Sequence, residues 1–139
     1  MSGKIFLDTN ILVYAIEVGG SAPAKSAAAL LLARRTDVCL STQVLGEFYR
    51  AVTSARRAEP LNHEEATAWV QLWKRHDVRP VTVPHVDLAL ELKARFQVQY
   101  FDALILAAAR LAGCAIVYSE DLSHGQDYRG VKVLNPFAR

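Results

Sequence analysis

Ile5-Phe6-Leu7-Asp8-Thr9-Asn10-Ile11-Leu12 decides the fold. Its apolar opening has no polar alternation, which suits a strand covered on both faces. The polar triplet Asp8-Thr9-Asn10 breaks the run, and Ile11, Leu12, Tyr14 and Ala15 then begin an apolar helical segment. Asp8 therefore stands at the carboxyl end of a strand, the edge where open α/β sheets bind ligands.

Outward from this stretch the same alternation repeats. Short runs rich in β-branched residues predict strands at 4–7, 38–40, 81–83, 115–118 and 131–134. Helical spacing predicts helices at 24–34, 44–56, 63–75, 86–96 and 102–112. Asn62 with Glu65 forms a capping-box pattern, and Gly113 fits the left-handed residue that ends the last helix. The order implies an α/β protein: a central parallel sheet of about five strands flanked by helices in three layers.

At 139 residues, with 52% hydrophobic and 22% charged side chains, the chain reads as one globular domain over 1–139. Met1-Ser2-Gly3-Lys4 runs straight into the first strand, leaving no room for a secretory signal. The most apolar stretch, 103–109, falls far short of the ~20 residues that span a bilayer. A cytoplasmic protein with no membrane role is expected. Cys39 and Cys114 sit in or beside apolar runs without zinc spacing, so buried thiols are expected. The net charge of +2 identifies no partner.

Four acids stand out. Asp8 follows the first strand, Glu47 lies in the first turns of the helix after the second, and Asp121 follows the fourth in Ser119-Glu120-Asp121-Leu122. Asp102 interrupts an otherwise apolar stretch from Tyr100 to Ala109. Taken singly, each has an ordinary explanation: helix capping for Asp8 and Asp102, a favourable helix dipole for Glu47, turn chemistry for Asp121. Taken together they are harder to dismiss, because a βα sheet gathers such positions at one edge. Converging carboxylates repel one another unless protons or a cation intervene, and a hard divalent ion with oxygen ligands is the economical answer.

Ile5–Leu12 resembles the opening motif of PIN-domain nucleases, and Ser41-Thr42-Gln43-Val44-Leu45-Gly46-Glu47-Phe48 resembles their second acidic motif. Tyr100-Phe101-Asp102-Ala103-Leu104-Ile105 is similar to the third and Ser119-Glu120-Asp121-Leu122 to the fourth. Length and motif order resemble the VapC-type toxins of toxin–antitoxin pairs. The resemblance spans residue 5 to about residue 136. It implies that Asp8, Glu47, Asp102 and Asp121 are catalytic metal ligands for Mg²⁺ or Mn²⁺. Thr9 or Asn10, and Ser119, would orient ligands or water, while Glu120 competes with Asp121 for the fourth position, with Asp121 favoured by its place in the motif. It further implies an RNA substrate, a homodimer and a cognate antitoxin that inserts a segment near the acids.

The mechanism implied is hydrolysis by metal-activated water, with no covalent nucleophile from the protein. His63, His76 and His85 read as surface residues, and His124, after Asp121, is a candidate for approaching substrate. Arg34-Arg35, Arg56-Arg57 and Lys74-Arg75 are candidate RNA contacts that serve equally as dipole-opposing charges at helix ends. Two other readings compete. An Mg²⁺-dependent phosphatase or phosphotransferase is disfavoured because Asp8-Thr9-Asn10 lacks a second Asp two residues on. A non-catalytic interaction module of the same fold has no need to keep all four acids.

Overall fold

A computed structural model describes residues 3–138. In chain order the elements are β1 (Ile5–Leu7), α1 (Thr9–Ala15), α2 (Pro23–Ala33), β2 (Val38–Ser41), α3 (Thr42–Val52), α4 (His63–Trp73), β3 (Asp77–Arg79), α5 (Val83–Phe96), α6 (Tyr100–Leu111), β4 (Ile116–Tyr118) and β5 (Lys132–Leu134). All five strands are parallel, in the order β3-β2-β1-β4-β5. Ile5 registers with Val38 on one side and Ile116 on the other, so β1 is the central strand and every residue of it is buried.

Helices cover both faces of the sheet in a three-layer sandwich. The helices fall into two packed groups: α1 touches α2 and α3, and α3 touches α4, while α5 and α6 pack on each other. Right-handed crossovers account for the division, since the chain steps one way from β1 to β3 and then crosses back to β4. Phe6, Leu7, Leu40, Phe48, Leu106 and Val117 fill the layers between, all fully buried. Burying side chains of this size stabilises the fold by roughly 1.5–3 kcal/mol each before chain entropy is counted. Among the described residues no helix is long and apolar enough to cross a membrane.

Four strands lie where the sequence puts them, within a residue. The expected strand at 81–83 does not form. Thr82 instead caps α5 in a capping box, its backbone N–H donating to His85 Nδ1 at 3.1 Å, and Pro84 occupies the first turn, where a missing N–H costs nothing. The third strand is Asp77–Arg79, whose charged side chains pair with each other at 3.1 Å along the sheet edge. Charge on an edge strand blunts unwanted pairing and also hides the strand from a hydrophobic reading. His85, expected at the surface, is buried by this capping role. Cys39 and Cys114 are buried free thiols.

The ends of two helices also move. Ser41 Oγ accepts the Val44 N–H, so α3 begins at Thr42 and stops at Val52, leaving Arg56 and Arg57 beyond the helix rather than at its end. α6 begins at Tyr100, with Gln99 in the capping position. Asp102 is therefore a first-turn residue and not a cap. Gly113, at φ 79°, takes the left-handed conformation after α6.

Candidate active site

The chain leaves β1 toward β2 and leaves β4 toward β5, in opposite directions across the sheet. The carboxyl ends of β1 and β4 thus border a crevice that no connection covers, the topological switch point of the sheet. A cavity of about 660 Å³ opens there. Asp8, Glu47, Asp102 and Asp121 all line it, together with Thr9, Asn10 and Glu120. Ser119 lies buried beneath them. β1 delivers Asp8, β4 delivers Ser119 to Asp121, and the middle of α3 and the first turn of α6 deliver Glu47 and Asp102 from the two helical layers.

Hydrogen bonds from one short segment tie three of the four acids together. Asp8 Oδ1 accepts the Thr9 N–H at 2.7 Å, which caps α1, and Asp8 Oδ2 accepts the Ser119 hydroxyl at 2.7 Å. Thr9 Oγ1 donates to Glu47 Oε1 at 2.6 Å. Asn10 Nδ2 donates to Asp121 Oδ2 at 3.0 Å, while Asn10 Oδ1 accepts the Glu120 N–H at 3.2 Å. Ser119 Oγ also accepts the Asp121 N–H at 3.1 Å. Gln43, one helical turn before Glu47, donates through Nε2 to Glu47 Oε2 and to the Phe101 carbonyl, both at 3.1 Å. That amide bridges α3 and α6 beside the site.

Burial pushes the Asp8 carboxyl up to about 6; the Ser119 hydroxyl and Thr9 N–H pull the other way, and the charges of Asp121 and Glu47 push further up. Asp102 is also raised, first by burial and then by Asp121 and Glu47. The acids therefore feel one another. Two more carboxylates border the cavity, and each has its own cation. Glu120 is ion-paired with Lys25 and accepts the Tyr14 hydroxyl at 2.9 Å. Burial alone would raise Glu120, but these two partners hold it below the usual range. Glu17 faces Arg57 at 3.7 Å. Among the described residues Asp8, Glu47, Asp102 and Asp121 have no ion-pair partner. Nor, among those residues, do three His, Cys, Asp or Glu side chains converge into a ready-made ion cage.

Residues 5–126 match the PIN domain family model. The chain belongs to the PIN domain family. Solved PIN-like structures superpose over nearly its whole length. A toxin–antitoxin complex from Klebsiella pneumoniae aligns with a TM-score of 0.68 at 18% identity, covering 96% of this chain and 98% of that one. VapC20 of Mycobacterium tuberculosis, described as a toxin that cleaves the sarcin–ricin loop, aligns with a TM-score of 0.66 at 26% identity, covering 85% and 90%. FitAcB from Neisseria gonorrhoeae gives 0.67 at 18% identity over 96% and 98%. No curated protein matches the chain by sequence.

Within this PIN domain the structure brings all four expected acids to one cavity and separates Glu120 from Asp121 by their partners. His124 is exposed and does not line the cavity; its Nδ1 accepts the Asn135 N–H at 2.8 Å. Sequence reasoning missed Gln43, although its spacing of four from Glu47 is the distance at which helical side chains meet. It also missed Tyr14, Lys25 and the pair of Glu17 with Arg57. Those contacts join distant parts of the chain and leave no local pattern.

Proposed function

We propose that this PIN domain is a metal-dependent endoribonuclease, acting as the toxin of a toxin–antitoxin pair. The observation that carries the reading is a charge imbalance: six carboxylates border one cavity at the switch point, two carry cations of their own, and the other four do not. A fold keeps such a cluster when a ligand neutralises it.

The donor set fits Mg²⁺ or Mn²⁺. All four side chains offer hard oxygen atoms, and these ions bind through one or two carboxylates while keeping several waters, so a preformed cage is not required. Asp8, Glu47, Asp102 and Asp121 would hold the metal, with Asp121 rather than Glu120 as the fourth acid. The ion supplies Lewis acidity, making water acidic enough to attack and offsetting charge on the scissile phosphate. Thr9, Asn10 and Ser119 fix the directions in which Glu47, Asp121 and Asp8 present their free oxygens.

Relatives supply the finer reading. Several structural neighbours are toxin–antitoxin complexes, and VapC20 is described as cleaving the sarcin–ricin loop. We carry over from them an RNA substrate and a cognate antitoxin; the homodimer rests on the motif resemblance and the cytoplasmic setting on the sequence reading alone. The test is cleavage of end-labelled RNA with Mg²⁺ or Mn²⁺ and with EDTA, alongside growth of cells expressing wild type or Asp102→Asn. Metal-dependent cleavage and growth arrest that Asp102→Asn relieves are expected. Cleavage that survives both EDTA and Asp102→Asn, or none by wild type with either metal, refutes the reading.

A further inference from the structure

Phe101 is the large apolar side chain at the mouth of the carboxylate cavity, and it is 54% exposed. It adjoins Asp102, one of the four unpaired acids. Packing does not explain its exposure, because α6 buries every residue from Ala103 to Ala109 and leaves this ring outside. Nor is the ring loosely held. Tyr100 meets it edge-on at 5.1 Å between centroids, and the Phe101 carbonyl accepts from Gln43 Nε2, the same nitrogen that donates to Glu47. The backbone that carries the ring is thereby tied to a carboxylate of the site.

The other aromatic lining the cavity, Tyr14, is already engaged through its hydroxyl to Glu120 and through its ring to Phe137. Phe101 has a free face. Most of the remaining lining is acidic or amide-bearing, which repels a phosphate backbone and gives it no grip without metal. A nucleotide whose phosphate reaches the acids must put its base near the rim, and an exposed ring there offers a stacking surface that any base can use.

Building on the ribonuclease reading, we infer that Phe101 is the stacking platform for an unpaired nucleobase next to the scissile phosphate. A duplex keeps its bases stacked on one another, so the platform selects single-stranded or looped RNA and serves binding rather than bond cleavage.

The test measures Mn²⁺-dependent cleavage of a short single-stranded RNA by wild type, Phe101→Ala and Phe101→Trp, and repeats it on strands with one abasic ribose placed at each position in turn. Phe101→Ala should raise KM about tenfold with kcat held, as expected when uniform binding is lost. Phe101→Trp should restore KM. One abasic position should cost wild type a similar factor and cost Phe101→Ala little more. An unchanged KM in Phe101→Ala overturns the inference while leaving the nuclease reading intact. So does a raised KM that Phe101→Trp fails to restore, or one that accompanies a change of mass in light scattering, which would make the ring an interface between copies. If wild type itself cleaves no RNA with Mn²⁺ or Mg²⁺, the nuclease reading falls and this inference with it.

Discussion

Thr9 Oγ1 donates to Glu47 Oε1 at 2.6 Å, across 38 residues of sequence. The bond joins the first residue of α1 to the middle of α3, so the segment that carries Asp8 also sets the direction of a second acid. Such contacts orient metal ligands and are worth roughly 10- to 100-fold in metal affinity.

Thr9→Val removes the hydroxyl at nearly constant volume. The Mn²⁺ concentration giving half-maximal cleavage should rise roughly 10- to 100-fold, while Thr9→Ser should stay close to wild type. A metal titration of cleavage rate decides it, and equal behaviour of the two variants would remove Thr9 from the site's support.

Asp8 gives the metal-free protein a pH-dependent stability. Its carboxyl titrates near 6 in the folded chain and at 3.8 when unexposed to the fold, with burial the largest cause. The folded state therefore holds the proton more tightly. Stability from this group is full below about pH 4 and is lost as pH rises through 6, a change of about 3 kcal/mol for two pKa units. Asp8→Asn keeps an oxygen for the Thr9 N–H and an amide for Ser119 Oγ. In EDTA its urea midpoint should be flatter than that of wild type between pH 4 and 7, and higher at pH 7. A wild-type midpoint that rises over that interval contradicts the assignment.

Glu120 and Asp121 are neighbours with opposite partners, a cation for one and an amide for the other. Glu120→Gln should leave the metal requirement of cleavage unchanged, since the Tyr14 hydroxyl still has an acceptor. Asp121→Asn should abolish cleavage. The reverse result, read from the same metal titrations, would exchange their roles.

The architecture was legible in the sequence because β1 and β2 are fully buried, β4 and β5 each centre on a buried valine, and all four are mostly apolar runs whose composition sets them apart. β3 was not. Its two charged residues serve the sheet edge, whereas Val81-Thr82-Val83 has the composition of a strand and the prolines of a loop entering a helix. The four acids were legible for a related reason: each stands where an apolar run stops or is interrupted. Singly they had ordinary explanations, and Asp8 does cap α1 as well as face the cavity. Their isolation from cations was hidden, because Lys25 reaches Glu120 across 95 residues and Arg57 lies beyond the end of a helix that stops earlier than its periodicity implies.

Asp102 offers a test of the cluster that does not depend on catalysis. Burial raises its carboxyl, and the charges of Asp121 and Glu47 add to the shift. Gln99 occupies the capping position of α6, and among the described residues the Asp102 side chain accepts no hydrogen bond, so Asp102→Asn leaves no donor stranded. One opposing effect remains. A first-turn carboxylate gains roughly 0.3–1 kcal/mol from the helix dipole, which the amide forfeits. Burial and the repulsion of two neighbouring charges oppose this gain, so metal-free Asp102→Asn should melt above wild type at neutral pH. Mn²⁺ reverses the order. An ion that binds only the folded state adds RT ln(1 + [L]/Kd), about 1.4 kcal/mol at ten times Kd, which corresponds to roughly 3–6 °C for a domain of this size. Wild type should gain that much and Asp102→Asn clearly less. NaCl at matched ionic strength is the control, because screening alone relieves repulsion without any site. If NaCl reproduces the whole Mn²⁺ shift, or both proteins respond alike, the four acids do not share a metal.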